Sequence, residues 1–165
     1  MNFPKIINKL LTEKELDNAL SYYSMIKNKD LAYDDYRKRY TANDPMSQMI
    51  LMSKTDIARE VFGSKTLLPT YSVYSRYVGP GSKLEKHKDD NACTYTLDLC
   101  LNQSNPWGIW VDGKEYILKE NQALAYYGND QFHWREEMTE SDSVSMIFLH
   151  YAEPEHWWFK RKINE

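Results

Sequence analysis

His87, Asp89 and His133 are the residues of this 165-residue chain best suited to chemistry. The first two stand in His87-Lys88-Asp89, the third far downstream in Gln131-Phe132-His133-Trp134. Two imidazoles and one carboxylate on one face of an octahedral ion leave three positions open, a donor set suited to a ferrous ion that activates O2. Side chains at i and i+2 share a side only on extended backbone, so the spacing requires a strand at His87. A His-x-Asp tripeptide is common by chance, and Lys83, Glu85, Lys86 and Lys88 around it read as solvated charge. The surrounding elements must therefore decide.

Thr70 to Val78 is rich in aromatic and β-branched residues, and Gly79-Pro80-Gly81-Ser82 behind it is a turn, so a second extended piece carries His87 and Asp89. Strand character recurs over Thr94–Leu101, Gly108–Val111, Glu115–Leu118, Ala123–Tyr127 and Val144–Tyr151. Turn signals separate these segments, with Asp112-Gly113 the strongest two-residue hairpin signal. Within Thr94–Leu101, Tyr95, Leu97, Leu99 and Leu101 share one face, expected in the core, while Thr94, Thr96, Asp98 and Cys100 share a wetter one. Short strands at such spacing read as a sandwich or barrel. Before them, Thr12 and Glu15 form a capping box that predicts a helix over Thr12–Met25, with Leu16, Ala19, Leu20 and Tyr23 at helical spacing. A second helix is predicted over Pro45–Val61, and the polar, tyrosine-rich segment Asp30–Ala42 between them carries no assignment.

Composition fits one compact domain: 42% of residues are hydrophobic and 14% aromatic, enough to bury a real core. The net charge of −3 supplies no basic field for duplex nucleic acid. No apolar stretch approaches the roughly 20 residues of a membrane span, and the start lacks the apolar core of a signal peptide, so the expected location is cytoplasmic. Cys93 and Cys100 have opposite parity on one predicted strand and no Cys-x-x-Cys spacing, so free thiols are expected.

Taken together, the stretches Leu67-Leu68-Pro69-Thr70-Tyr71, Arg76-Tyr77, Leu84 to Asp89, Thr96 to Asn102, Asn121 to Gly128, His133-Trp134-Arg135-Glu136 and Phe148-Leu149-His150-Tyr151 resemble the 2-oxoglutarate and Fe(II)-dependent oxygenases, specifically small members similar to prolyl 4-hydroxylases. Phe3-Pro4-Lys5-Ile6-Ile7 also looks like the family's usual start. The resemblance implies an α+β, mainly β fold: a double-stranded β-helix, a jelly-roll or cupin-like barrel, with N-terminal helices packed on one side. The helical part would span about residues 1–66 and the barrel about 67–153 of a single domain. It also implies Fe(II), 2-oxoglutarate and O2 as cofactors, with His87, Asp89 and His133 as metal ligands and release of succinate and CO2. Retention of Asp89 favours hydroxylation, because related halogenases replace this carboxylate with a small residue to admit chloride.

The family usually places an Arg or Lys shortly after the distal His to grip the far carboxylate of 2-oxoglutarate, yet Glu137 to Ser145 contains no basic residue. Arg135 is the first substitute, since it shares a strand face with His133 and a guanidinium binds a carboxylate bidentately. Arg76 is the second, although an exposed ion pair explains it equally well. Tyr77, and by parity Tyr95, offer hydroxyls to the same carboxylate, Tyr95 being more readily explained as a core aromatic. Trp134 is a candidate for the substrate mouth. His150 and His156 are expected to have structural roles. The acidic stretch Glu136 to Asp142 reads as a solvated loop, with attraction of a cationic peptide as the alternative.

The sequence thus points to a hydroxylase of a small molecule or a peptidyl side chain. A cupin-like metal or ligand-binding barrel that does not use 2-oxoglutarate is the alternative, favoured by the missing basic residue. A degenerate barrel kept for protein interaction would leave an intact triad unused.

Overall fold

The computed structural model describes residues 2–163. Eleven strands follow in chain order: β1 (Lys5–Ile7), β2 (Ala32–Asp34), β3 (Arg39–Ala42), β4 (Leu68–Val78), β5 (Leu84–His87), β6 (Tyr95–Gln103), β7 (Ile109–Val111), β8 (Lys114–Tyr116), β9 (Ala123–Tyr126), β10 (His133–Arg135) and β11 (Ser143–Ala152). The helices are α1 (Glu13–Met25), α2 (Pro45–Ser53), α3 (Thr55–Phe62) and α4 (Trp157–Ile163). The strands form a seven-stranded sheet in the order β1-β9-β6-β11-β4-β3-β2 and a four-stranded sheet in the order β5-β10-β7-β8. Neighbours in both sheets are antiparallel.

Apolar residues fill both sides of the large sheet. On one side Leu97, Leu99, Leu101, Ile147 and Leu149 pack with Ala19, Tyr23, Ile50, Leu51, Ala58 and Phe62 of the first three helices. On the other, Tyr77, Cys100, Leu124, Tyr126, Val144 and Met146 meet Ile109 and Val111 of the small sheet. Two facing sheets closed around an inner core, with helices on one outer face, are the expected double-stranded β-helix.

The capping box holds as predicted: Glu15 N–H donates to Thr12 Oγ1, Thr12 N–H donates to Glu15 Oε1, and α1 ends at Met25. At Asp112-Gly113 both residues take positive φ, 49° and 82°, which the two-residue turn joining β7 to β8 requires. Cys93 and Cys100 are free and buried.

Several expectations change. The unassigned Asp30–Ala42 segment contains the hairpin β2–β3, which extends the large sheet beyond β4. With β1, it puts three strands into the region expected to be helical, so the sheet begins well before residue 67. The single helix over Pro45–Val61 is two, divided at Lys54, whose Nζ reaches back to Glu15 Oε2 at 2.8 Å. The face of β6 expected to be wetter is dry, with Thr96, Asp98 and Cys100 all buried, because the second sheet covers it. Cys93 lies in a 3-10 turn (Asn91–Cys93) before β6 instead of on the strand. Among the described residues no helix is long and apolar enough to cross a membrane.

Asn121 ties the segment leading into α1 to the barrel. Its side chain accepts from Leu11 N–H at 2.9 Å and donates to Leu11 C=O at 2.8 Å, while its own φ is 65°. Asn121→Ala leaves two main-chain groups unmet in a buried place and strains an alanine. We expect a loss of about 1–3 kcal/mol, read as a lower urea midpoint, and an unchanged midpoint would remove Asn121 from this role.

Candidate functional site

The antiparallel register of β5 and β10 sets His133 directly opposite His87, and their ring centroids lie 4.3 Å apart. Strand β5 ends at His87, and the chain then turns so that Asp89 N–H donates to Gly128 C=O at 2.8 Å. That turn brings Asp89 Oδ1 to 3.2 Å from His87 Nε2 and 3.4 Å from His133 Nε2. Each imidazole is fixed from behind, His87 Nδ1 lying 2.6 Å from Glu85 C=O and His133 Nδ1 2.9 Å from Gln131 C=O. A carbonyl only accepts, so both Nδ1 atoms carry a proton and Nε2 is the atom each ring turns to Asp89, the preparation seen for metal-binding histidines. Three converging donors with two oriented imidazoles fit a divalent ion.

The electrostatics agree. Burial alone would raise the Asp89 carboxyl, but hydrogen bonds and charge from His133 and His87 outweigh it and hold the group well below the ordinary carboxylate range. Burial lowers His133, yet the hydrogen bond and charge of Asp89 outweigh that and hold it above its usual value. Without a metal, Asp89 thus stays ionised and attracts a proton to the imidazole, and a cation replaces that proton.

The triad opens into a cavity of about 200 Å³ also lined by Arg37, Arg39, Tyr71, Val73, Leu84, Asp98, Tyr126, Phe148 and His150. Asp98, on β6, accepts from Tyr126 Oη at 2.8 Å through Oδ2, while its Oδ1 is buried without a hydrogen-bond partner. Burial is the main cause that pushes its carboxyl up to about 6. Arg39, on β3, donates from Nη1 to Tyr77 Oη at 3.0 Å.

The other candidate residues divide. Arg135 is only 3% exposed and points into the inner core: Nη1 donates to Trp107 C=O at 2.7 Å, the guanidinium lies over the Trp107 ring, and Nε has no hydrogen-bond partner. Tyr77 is fully buried, flanked by the Arg39 and Arg135 guanidinium groups at 5.6 and 6.0 Å from its ring. Arg76, one residue along β4, turns to the opposite face, where it lies over the Tyr40 ring and bonds Asn28, so it is removed as an anchor. Tyr95 also leaves the site: it faces the helices, packs with Phe62 and Tyr127, and donates to Glu153 at 2.8 Å. Trp134 points away from His133 by strand parity and stacks on Trp110 outside the barrel, not at the cavity mouth. The Glu136–Asp142 stretch contributes no cavity residue: Met138 plugs the inner core and Asp142 accepts from Ser104 and Asn105. His156 stays near Trp157 and Trp158, whereas His150, expected to be structural, lines the cavity.

Sequence reasoning missed Arg39, Asp98, Tyr126 and the constraint at Gly128. Asp98 gave a signal, as a carboxylate inside an otherwise apolar strand; Arg39 gave none, because its strand was not recognised. At Gly128 a Cβ would come within 2.7 Å of Asp89 Oδ2 and 2.8 Å of Cys93 C=O. Gly128→Ala must therefore shift the Asp89 carboxylate. A 10–100-fold weaker Fe(II) or Co(II) affinity is expected, the usual size of a supporting-residue effect, and equilibrium dialysis showing wild-type affinity would contradict it. Metal affinity should also fall as pH drops through the raised His133 value, because proton and cation compete for one lone pair. A pH-independent dissociation constant between pH 8 and 6 would contradict this.

No family model matches this sequence, and neither does any curated relative. Solved structures do match in shape. HygX from Streptomyces hygroscopicus, with nickel and 2-oxoglutarate bound, superposes with a TM-score of 0.70 at 9% identity over 90% of this chain and 82% of its own. A Pseudomonas putida prolyl-4-hydroxylase gives 0.69 at 13% identity over 90% and 92%. The α-ketoglutarate-dependent carbocyclase SnoK from nogalamycin biosynthesis gives 0.72 at 10% identity over 90% and 78%. With its two facing sheets and helical backing, the chain has the double-stranded β-helix fold of the 2-oxoglutarate and Fe(II)-dependent oxygenases.

Proposed function

We propose that this protein is an Fe(II) and 2-oxoglutarate-dependent oxygenase, most simply a hydroxylase of a small molecule or a peptidyl side chain. The observation that carries the reading is the convergence of His87 Nε2, His133 Nε2 and Asp89 Oδ1 on one point of a closed barrel, with both imidazoles locked by main-chain carbonyls. When bound, Fe(II) with 2-oxoglutarate and O2 supplies an oxidant as 2-oxoglutarate is converted to succinate and CO2. HygX, of the same fold, has been seen with nickel and 2-oxoglutarate.

The chain's own residues then have distinct tasks. Arg135 and Tyr77 do not line the cavity itself but belong to the inner core beside Arg39 and Asp98, which do, and they are assigned the far carboxylate of 2-oxoglutarate: a buried guanidinium with an unpartnered Nε calls for an anion, and the Arg39 hydrogen bond to Tyr77 Oη leaves the phenol proton free to donate. Asp98 is suited to neighbour such a dianion, because its raised pKa lets it take up a proton when negative charge arrives. Phe148, Val73 and Leu84 keep the cavity wall apolar, which limits water near the oxidant. Retention of Asp89 leaves no room for a halide and favours hydroxylation. The epimerase SnoN and the carbocyclase SnoK share the shape with other outcomes, so the outcome depends on the substrate seated at the cavity. The absence of any basic residue from Glu137 to Ser145 favours one second reading, a cupin-like barrel that holds metal without 2-oxoglutarate.

The Fe(II)-loaded protein should form succinate from 2-oxoglutarate under air, and His133→Ala should abolish this with unchanged circular dichroism. Equal succinate formation by the variant would dismiss the triad. Arg135→Ala should raise the 2-oxoglutarate KM strongly, since loss of one partner of a buried charge pair costs on the order of 2–5 kcal/mol; an unchanged KM would transfer the anchor to Arg39.

A further inference from the structure

Asp89 faces two sets of donors. Its Oδ1 lies against His87 and His133, and its Oδ2 lies close to Gly128. Ligand atoms of Asp89, Cys93 and His150 also all lie within 4.8 Å of one another. His150 comes from β11 and is only 6% exposed. Its Nδ1 lies 3.1 Å from the Tyr71 carbonyl, so it is prepared in the same way as His87 and His133: Nδ1–H held by main chain, Nε2 lone pair free. Cys93 Sγ is buried and lies 2.9 Å from Tyr71 Oη, a hydroxyl placed to donate to a thiolate.

Burial and the negative charge of Asp89, Asp90 and Asp98 push the Cys93 thiol up, so it becomes a thiolate only as a cation takes the place of its proton, and the same carboxylates attract that cation. The nearby arginines are engaged elsewhere, Arg37 with Asp34 and Glu85, and Arg39 with Asp34 and Tyr77.

We infer that Asp89, Cys93 and His150 form a second cation subsite, sharing Asp89 with the iron site and taking a soft divalent ion of the zinc class. One sulfur, one imidazole nitrogen and one carboxylate oxygen are a zinc-type donor set, and a thiolate selects against magnesium and calcium. The Cys93 thiol proton leaves to solvent as the metal–sulfur bond forms, with no change of oxidation state. Asp89 would be the one ligand that the two subsites share. Neither 2-oxoglutarate nor O2 takes part, so the inference stands apart from the proposed turnover.

The test uses the full chain, stripped with chelator and loaded with Zn2+ or Co2+. Elemental analysis after dialysis should find two Zn2+ per wild-type chain and one in Cys93→Ser. Co2+ should give a thiolate-to-cobalt charge-transfer absorption that disappears in Cys93→Ser, weakens at least tenfold in apparent affinity in His150→Ala, and persists in His87→Ala, where only the iron site is lost. One Zn2+ per wild-type chain, or no charge-transfer absorption in the wild type, overturns the inference without reference to any variant. A charge-transfer signal that survives in Cys93→Ser overturns it as well. Loss of succinate formation in His87→Ala alongside a retained cobalt–thiolate signal separates failure of the iron site from failure of this one.

Discussion

The position of one carboxylate governs this structure. Asp89 stands beyond the end of β5, held by a single main-chain hydrogen bond to Gly128 and by the lack of a side chain there. The loop that supplies Gly128 lies between β9 of the large sheet and β10 of the small one, so the place of Asp89 against His87 and His133 depends on how the two sheets close on each other. An ionised carboxylate among two imidazoles in a partly buried place needs a balancing positive charge, which without a cation is a proton held on the imidazole side. The barrel sustains it through the β5–β10 register and the carbonyls behind each histidine.

Burial on both faces of the large sheet makes that closure possible. Strands β6 and β11 pack leucine and isoleucine against the helices and smaller or polar residues toward the small sheet. Apolar burial on the helical side contributes roughly 25 cal/mol per Å² removed from water, and this leaves the inner side free to carry groups that stability alone would exclude. Asp98 of β6 and His150 of β11 sit there, with His133 and Arg135 of β10 also buried on the inner side. Polar groups opposite the leucines of β6 and β11 separate this cavity from a second packing core.

Much of this was legible in the residues. Strand alternation in Thr94–Leu101 divided the two faces correctly, and the His-x-Asp spacing required the extended backbone at His87 that β5 supplies. Arg135 was placed on the His133 face by parity alone, and parity should equally have turned Trp134 outward. The illegible parts have physical causes. The hairpin β2–β3 is short and partly exposed, so its polar and tyrosine-rich sequence resembles a loop, and Arg39 was hidden with it. His150 on an apolar strand reads as a packed residue, and only the approach of the 3-10 turn carrying Cys93, far away in sequence, reveals its neighbours. Tyr95 failed because its face meets helices that the strand pattern does not describe.

The proposed activity requires the triad and the inner guanidinium together to hold a ferrous ion chelated by 2-oxoglutarate. Anaerobic titration of the Fe(II)-loaded protein with 2-oxoglutarate, followed by the visible metal-to-ligand charge-transfer absorption of the chelate, tests it most directly. The account predicts an absorption that saturates at one 2-oxoglutarate per chain. Tight iron binding with no such absorption at any 2-oxoglutarate concentration would contradict it and leave a metal-holding barrel of a different chemistry.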